Sequence, residues 1–462
     1  MALSRKATPA ERQFHGDDPE EIYAPRHELR EGSIPASVAH DLITSELLLD
    51  GNAKLNLATF VTTWMPGPAA QLMAETADKN MIDKDEYPQT ADIEARCVNI
   101  IASLWNAPES DAAAATGCST TGSSEAVMLG GLALKWRWRE RMRAAGRPSD
   151  KPNIVMGANV QVCWEKFCRY WDVEPRMVPV EGDRLHLGAP EAAAQCDENT
   201  IGVVAILGST FDGSYEPVAD ISHALDDLQA ERGLDIPIHV DAASGGFVAP
   251  FLQPELVWDF RLPRVQSINA SGHKYGLVYP GVGWAVWREE AALPRELVFN
   301  VNYLGGNMPT FALNFSRPGS EVIAQYYMFL HLGHEGYVRA CRRAQSVALY
   351  LSEHIGKIGP YECLTDGSEL PVFAFKLKPE ITNYTVYDVS GRLRERGWQV
   401  PAYTFPENRE DLAVLRIVVR AGMNHDMADM LLADLRSETE YLESLEAPLP
   451  PRDPSKAGGF AH

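Results

Sequence analysis

The sequence lacks any apolar run of the roughly 18 residues that a membrane-spanning helix needs. Its longest apolar stretch, Ile201–Leu207, has the length of a buried strand. Residues 1–30 are polar and charged, without the apolar core of a secretory signal. These absences argue against stable membrane anchoring and favour a cytoplasmic protein.

Paired cysteine motifs are also missing. The seven cysteines are scattered, none of them forms a C-x-x-C pair, and no histidine cluster accompanies them. Such a set is typical of reduced thiols that fill a protein core. We therefore expect neither a disulfide framework nor a metal site.

Positive charge is scarce, because 42 Lys and Arg stand against 63 Asp and Glu, a net charge of −21. An acidic protein of this kind repels nucleic acid and anionic membranes. One basic run, Lys135–Arg143, interleaves cations with Trp136 and Trp138. It could be a nucleic-acid patch, but a solvated helix face is the reading we favour. No nucleic-acid partner is expected.

Residues 56–345 alternate short β-branched apolar runs with helical stretches, which predicts a large α/β domain. The predicted strands include Asn153–Met156, Thr200–Leu207, Ile236–Asp241 and Val265–Ala270, and the helices include Glu125–Ala144 and Asp220–Arg232. This alternation is typical of a mainly parallel sheet that helices flank on both faces.

The pattern changes on either side of this region. Residues 346–446 predict a smaller C-terminal α+β domain, and residues 1–55 an arm with a short helix at Ser37–Asp50. The Pro- and Gly-rich tail 447–462 has the composition of a flexible segment. In the small domain we predict helices at Gln345–Ile358, Val386–Arg396 and His425–Leu445, and strands at Val372–Leu377, Gln399–Tyr403 and Ala413–Val419.

Lys274 lies in Ser-Gly-His-Lys-Tyr-Gly, residues 271–276, directly after the strand Val265–Ala270. A lysine among small residues at a strand end can form a Schiff base with an aldehyde. Burial would lower its pKa and favour the free amine. Taken alone, a surface lysine near a turn is the commoner explanation.

Asp241 ends the apolar strand Ile236–Asp241 and precedes Ala-Ala-Ser-Gly-Gly. A buried carboxylate needs a charged partner, and a protonated pyridine nitrogen would be one. Ala242 and Ala243 are small enough for a flat ring to lie against the backbone. A helix N-cap is the alternative for this aspartate.

The segment Gly117–Glu125, Gly-Cys-Ser-Thr-Thr-Gly-Ser-Ser-Glu, opens a predicted helix. Free N–H groups, hydroxyls and the helix dipole could bind a phosphate here, although a simple Ser/Thr cap is the alternative. Neither a P-loop nor a dinucleotide fingerprint is present. The order of phosphate loop, aspartate and lysine is more specific than any part, because strand ends in an open α/β sheet share one crevice.

These motifs resemble those of the glutamate decarboxylases of bacteria and plants, which are fold-type I pyridoxal phosphate (PLP) enzymes. The matching segments are Asp-Ala-Ala-Ser-Gly-Gly from Asp241, Ser-Gly-His-Lys-Tyr-Gly from Ser271 and Gly-Ser-Ser-Glu-Ala from Gly122. The resemblance extends over roughly residues 40–445 and implies a carboxy-lyase that converts L-glutamate to γ-aminobutyrate (GABA) and CO2.

The resemblance also implies roles for individual residues. Lys274 would be the catalytic lysine, and the cofactor would contact Ser123, Ser124, Gln161, Thr210, Asp241, Ala243, His273 and Ser316, with Ser316 reaching in from a neighbouring subunit. The substrate would contact Thr59, Phe60, Asn80, Asp83 and Arg420, with Arg420 facing its α-carboxylate. Because Asp83 would share a proton with the substrate carboxylate, activity should rise at acidic pH.

Relatives form dimers or hexamers, so a homo-oligomer is implied, while the basic calmodulin-binding tail of plant members is missing. His462 could block the site as a near-terminal histidine does in bacterial relatives, or could simply end a mobile tail. The acidic arm could order on protonation. Another PLP decarboxylase and a catalytically silent PLP-fold scaffold remain alternatives, and acid resistance and GABA metabolism both fit as roles.

Overall fold

The computed structural model describes residues 27–29, 31–109, 115–302, 308–447 and 449. The chain divides into two compact units between Asn52 and Ala53. In the first unit the described residues form one helix, α1 (Ala36–Leu47), close to the predicted Ser37–Asp50. In the second unit, the predicted domain boundary between residues 345 and 346 falls inside the helix Ser320–Gly356. The limits of the large and small domains therefore remain a prediction.

A seven-stranded sheet forms the centre of the second unit, in the order β1-β7-β6-β5-β4-β2-β3. Its strands are β1 (Gly117–Thr120), β2 (Asn153–Gly157), β3 (Glu174–Val178), β4 (Thr200–Ile206), β5 (Ile238–Asp241), β6 (Val265–Ala270) and β7 (Gly283–Trp287). Strands β2 to β6 run parallel, whereas β7 is antiparallel to both β6 and β1. The predicted, mainly parallel sheet is confirmed.

Helices cover both faces of this sheet. They are α2 (Gly67–Glu75), α3 (Pro88–Leu104), α4 (Ser123–Ala144), α5 (Val162–Tyr170), α6 (Ala189–Ala194), α7 (Val218–Arg232) and α8 (Ala249–Leu252). Along β7, Trp284 and Val286 pack in one core cluster with α3, while Ala285 and Trp287 pack in another with α4. The alternation of side chains along a strand explains why one strand serves two buried faces.

The C-terminal part contains a smaller antiparallel sheet in the order β10-β11-β13-β12. Its strands are β10 (Tyr361–Cys363), β11 (Val372–Leu377), β12 (Ala402–Thr404) and β13 (Ala413–Val418), and β8 (Phe299–Val301) pairs with β9 (Met308–Thr310) elsewhere. The flanking helices are α9 (Ser320–Gly356), α10 (Val386–Glu395) and α11 (His425–Glu443). This sheet confirms the predicted small α+β domain.

Two predicted strands begin later than their apolar patterns. The prediction Gln399–Tyr403 becomes Ala402–Thr404, and Ile236–Asp241 becomes Ile238–Asp241. In each case a proline, Pro401 or Pro237, lies in the missing part and has no N–H to donate to a sheet ladder.

The helix predicted at Gln345–Ile358 is longer in the structure, because α9 begins at Ser320. It changes direction at Gly333, which has φ 56° and ψ −174°. Positive φ is readily available to glycine. No other atom lies within 4 Å of where a Cβ would be, so the bend comes from the backbone itself.

Short 3-10 turns occupy Ala53–Leu55, Gly245–Phe247, Glu290–Ala292 and Arg295–Leu297. No helix in the described residues is long and apolar enough to cross a membrane. All seven cysteines fall within the described ranges, and each is a free thiol.

Candidate active site

Lys274 lies in the turn that follows β6. The turn is anchored on both sides, because the Ser271 N–H donates to the carbonyl of Ala243 at 3.0 Å and the His273 N–H to that of Val282 at 3.2 Å. The half-buried Lys274 side chain donates to Ser244 Oγ at 3.3 Å. Burial lowers the pKa of Lys274, which favours the free amine of a nucleophile.

Asp241 ends the neighbouring strand β5 and is 5% exposed. Its Oδ2 accepts a hydrogen bond from Trp164 Nε1 at 2.9 Å. Its Oδ1 accepts from Asn269 Nδ2 at 2.9 Å and from the Ala243 N–H at 3.1 Å. Within the described ranges no Lys or Arg lies within ion-pair distance, so the carboxylate is held in place by neutral donors.

The predicted phosphate loop lies beside the lysine turn. Helix α4 begins at Ser123, and Ser123 Oγ lies 2.7 Å from Ser271 Oγ. A Cβ on Gly122 would stand 3.0 Å from the His273 ring, so only glycine leaves this gap open. Ser124 is exposed in the same helix turn. Burial lowers the pKa of His273 to about 4, so the imidazole is neutral at pH 7.

The other predicted cofactor residues follow strands of the same sheet at their carboxyl ends. Gln161 caps α5 by accepting from the Cys163 N–H at 2.7 Å. Thr210 lies in the turn after β4, and its carbonyl accepts a hydrogen bond from Arg416. Ala243 follows Asp241. The parallel sheet therefore brings these residues to one edge.

The segment with Thr59 and Phe60 contacts the lysine turn directly. The Thr62 N–H donates to the carbonyl of His273 at 2.7 Å, and Thr62 Oγ1 donates to that of Lys274 at 2.5 Å. The Phe60 ring centre lies 5.2 Å from Lys274 Nζ. This segment thus forms one wall of the site.

Arg420 is 7% exposed and binds the chain around Thr59. It donates to Thr63 Oγ1 at 2.6 Å, to the carbonyl of Val61 at 3.0 Å and to that of Ala53 at 3.2 Å. Its Nε has no hydrogen-bond partner among the described residues. The guanidinium is therefore fixed with one donor left over.

Asn80, Asp83 and Ser316 form a separate cluster. Asn80 Nδ2 donates to Asp83 Oδ2 at 2.9 Å and to Ser316 Oγ at 3.2 Å, and Asn80 Oδ1 accepts from the Arg317 N–H at 3.2 Å. No hydrogen bond or ion pair joins these three residues to the Lys274 turn in the part of the chain that the structure describes. One chain thus has two groups of predicted site residues.

Sequence reasoning missed three residues that shape the site. Trp164 and Asn269 hold Asp241, and Arg416 contacts both Thr210 and the Phe60 ring, at 4.9 Å from the ring centre. Arg416 carried a usable signal, because it is a lone charge inside the apolar strand β13. Nothing in the local sequence distinguishes Trp164 from an ordinary core tryptophan.

A model of the pyridoxal-dependent decarboxylase conserved domain matches residues 28–378. The chain belongs to the pyridoxal-dependent decarboxylase family. It is 56% identical over 425 residues to the glutamate decarboxylase of Aliivibrio fischeri, covering 92% of this chain and 89% of that protein. It is 49% identical over 423 residues to that of Petunia hybrida, covering 92% and 84%.

Among solved structures, the glutamate decarboxylase of Lactobacillus brevis aligns with a TM-score of 0.90 at 46% identity. The alignment covers 94% of this chain and 98% of that chain. Membership of this family makes pyridoxal phosphate the cofactor of this chain, and its fold is that of fold-type I PLP enzymes.

The residues of this family member fit that cofactor. Lys274 supplies an amine with a lowered pKa, and the Gly122 gap beside α4 is a cradle that a Cβ would fill. Asp241 supplies a buried carboxylate that has no Lys or Arg within ion-pair distance in the described part of the chain. A protonated ring nitrogen would give Asp241 its missing charge partner. The predicted His462 and residues 1–26 of the N-terminal arm lie outside the described residues.

Proposed function

We propose that the protein decarboxylates L-glutamate to GABA and CO2, with PLP joined to Lys274. The observation that carries the proposal is that Asp241 and Lys274 lie at the carboxyl ends of two adjacent strands, β5 and β6. Relatives that are 46–56% identical over most of the chain are glutamate decarboxylases, which supports glutamate as the substrate. PLP, when bound, supplies an electron sink for the bond that breaks at the α-carbon.

Lys274 has two tasks in this proposal. Its free amine, favoured by burial, would hold the cofactor through the cofactor's aldehyde group. After CO2 leaves, the same Nζ returns a proton to the α-carbon as a general acid. Each turnover therefore consumes one proton, which fits both acid resistance and GABA metabolism as physiological roles.

The remaining residues of the cofactor site would hold and orient the cofactor. Asp241, fixed by Trp164 and Asn269, keeps the cofactor ring nitrogen protonated. The first turn of α4 supplies N–H groups and a favourable dipole for the phosphate. The residues assigned to these contacts are Ser123, Ser124, Gln161, Thr210, Ala243 and His273.

Substrate recognition requires two carboxylate sites. We assign the α-carboxylate to Arg420, whose Nε is a free donor, and the side-chain carboxylate to Thr59 and the Phe60 backbone. Alignment of the α-carboxylate with the ring's π system would select the bond that breaks.

The separate cluster of Asn80, Asp83 and Ser316 would complete the site of a second copy of this chain. The exposure of Ser316, and the lack of any hydrogen bond from the cluster to the Lys274 turn among the described residues, support a homo-oligomer, a dimer or a hexamer, over a monomer. Asp83 beside a substrate carboxylate is repulsive unless the two share a proton. Activity should therefore rise as the pH falls.

The experiment is CO2 release from L-glutamate by purified protein with PLP, at about pH 4.5 and about pH 7.5. A Lys274→Ala variant is the control. Release by wild type alone, stronger at the acidic pH, is the expected result. A cofactor band near about 420 nm without CO2 from glutamate would redirect the substrate to another amino acid, and no band at all would favour a silent scaffold.

We further propose a cytoplasmic location. The seven free thiols support it, because reducing compartments keep cysteines in this state. Fractionation of cells that express the full-length protein would test this, and enrichment outside the cytoplasmic fraction would contradict it.

A further inference from the structure

Arg416 lies in the middle of β13 and is 8% exposed. Its Nη1 donates to the carbonyl of Thr210, and its Nη2 to that of Ala58 at 2.6 Å. Among the described residues no carboxylate lies within ion-pair distance of this guanidinium. A buried cation without a counter-charge costs stability, so the arrangement is hard to explain by stability alone.

The guanidinium also contacts two aromatic rings, one of which lies beside Lys274. Its central carbon is 4.9 Å from the centre of the Phe60 ring and 5.5 Å from that of Tyr403. The same Phe60 ring lies 5.2 Å from Lys274 Nζ. Cation–π contacts at these distances are attractive in a desolvated setting. The Phe60 ring therefore contacts both the Arg416 guanidinium and Lys274 Nζ, so Arg416 is linked to the lysine through this ring.

Arg416 connects two segments far apart in the sequence. The Ala58–Phe60 segment leads into Thr62, which binds the lysine turn, and the Thr210 turn follows β4. Between these two segments the structure shows no direct hydrogen bond in the described residues. The planar guanidinium, with donors on separate nitrogens, spans them.

We propose that Arg416 is a positioning residue that holds the Ala58–Phe60 segment and the Thr210 turn against the Lys274 site. It acts through these two backbone segments and not by contact with the reacting atoms. The consequence for glutamate rests on the proposed function, since Thr59 and Phe60 are assigned there to the side-chain carboxylate. The expected effect of Arg416 on the cofactor-free protein does not rest on the proposed function.

Three variants test the proposal: Arg416→Met, Arg416→Lys and Arg264→Met. Methionine removes the charge and both hydrogen bonds. Lysine keeps a charge, but its single ammonium group cannot replace the two guanidinium nitrogens that donate to separate carbonyls. Arg264 is a matched control, because it is equally buried, also donates to a backbone carbonyl, and lies before β6 at the opposite end of the large sheet.

The first readout is amide hydrogen exchange of the cofactor-free protein. Both Arg416 variants should exchange faster than wild type at residues 58–63 and 209–213, by about tenfold or more, because the charged hydrogen bonds that restrain the segments are lost. Arg264→Met should leave these segments unchanged. Wild-type protection in Arg416→Met, or an increase spread evenly over the chain, would overturn the proposal.

The second readout is the split between KM and kcat for glutamate. In Arg416→Lys we expect KM to rise about tenfold while kcat changes by less than about threefold, because the binding wall loosens and Lys274 stays in place. An unchanged KM would overturn the proposal. If wild type releases no CO2 from glutamate, the proposed function fails, and the exchange measurement alone decides the role of Arg416.

Discussion

Strand β6 has a basic residue just before it and another shortly after it, and the two side chains differ in how many charged and hydrogen-bonding partners they have. Arg264 precedes the strand, binds Asp226 at 2.6 Å and Asp235 at 3.4 Å, and donates to the carbonyl of Ile236 at 3.0 Å. Lys274 follows the strand, and among the described residues its side chain has a single hydrogen bond, to Ser244 at 3.3 Å.

This difference shows that one end of strand β6 contributes to stability and the other end contributes to reactivity. At the amino end of β6 a buried guanidinium has its charge and its donors satisfied, as burial requires. At the carboxyl end an amine and the Asp241 carboxylate are kept apart, although joining them would be favourable. Groups left incompletely satisfied in this way are typical of functional sites.

The sharpest test of the comparison is Asp241→Asn. Removing this carboxylate takes away the charge partner of the ring nitrogen, so we expect kcat/KM for glutamate to fall by about a hundredfold or more. Stability to urea should fall by about 1–3 kcal/mol, because the amide keeps the shape but turns its NH2 group toward a donor from which Asp241 now accepts. Asp226→Asn, at the other end of the sheet, is the control and should retain activity. Equal losses of kcat/KM in Asp241→Asn and Asp226→Asn would contradict the difference between the two ends of β6.

The reverse substitution, Arg264→Met, should affect stability and spare activity. Four hydrogen bonds are lost, to Asp226, Asp235, Gln229 and the carbonyl of Ile236, and we expect the free energy of unfolding to fall by about 2–3 kcal/mol. Urea denaturation measures this, and steady-state kinetics should show kcat/KM within about twofold of wild type. A large loss of activity at unchanged stability would contradict our division of the sheet.

A smaller effect is expected for Trp164→Phe. The ring still fills the core, but Asp241 loses one donor, which should cost about 1.5 kcal/mol, or roughly tenfold in kcat/KM. Trp138→Phe is the matched control, since Trp138 is also fully buried and donates to the carbonyl of Glu198. Similar kinetics for the two variants would show that the hydrogen bond to Asp241 is unimportant.

The smallest effect concerns His273 in the cofactor-free protein. Burial lowers its pKa from 6.5 to about 4, so between these values the unfolded chain binds more protons than the folded one. Stability should therefore fall as the pH drops from about 6.5 to about 4. His273→Gln should lower this slope in urea unfolding by about 1 kcal/mol per pH unit, whereas the exposed His223→Gln should not. An unchanged slope in His273→Gln would refute the assignment.

Much of this arrangement was predictable where local sequence determines it. Val265–Ala270 and Val372–Leu377 were predicted with their observed limits, because a proline precedes each strand and a glycine or proline follows it. Lys274 and Asp241 stood out because each follows an apolar β-branched run. Local pattern therefore located the reactive pair and the fold class that positions it.

Long-range pairing was beyond such reasoning. Asn80 and Ser316 are 236 residues apart, and Trp164 and Asp241 are 77 apart. Their contacts depend on how whole elements pack, which no local spacing encodes. Helix α9 was underestimated for a related reason, because its bend at Gly333 interrupts the helical pattern.

The place of β7 in the sheet has a consequence for the order in which the molecule can be made. Strand β1, which leads to the phosphate loop, pairs only with β7 among the described strands, joining Gly117 to Val286. The loop and the lysine turn thus become neighbours through a contact between distant parts of the chain, which forms slowly. During synthesis from the N-terminus, the growing polypeptide has no complete cofactor site until β7 has left the ribosome.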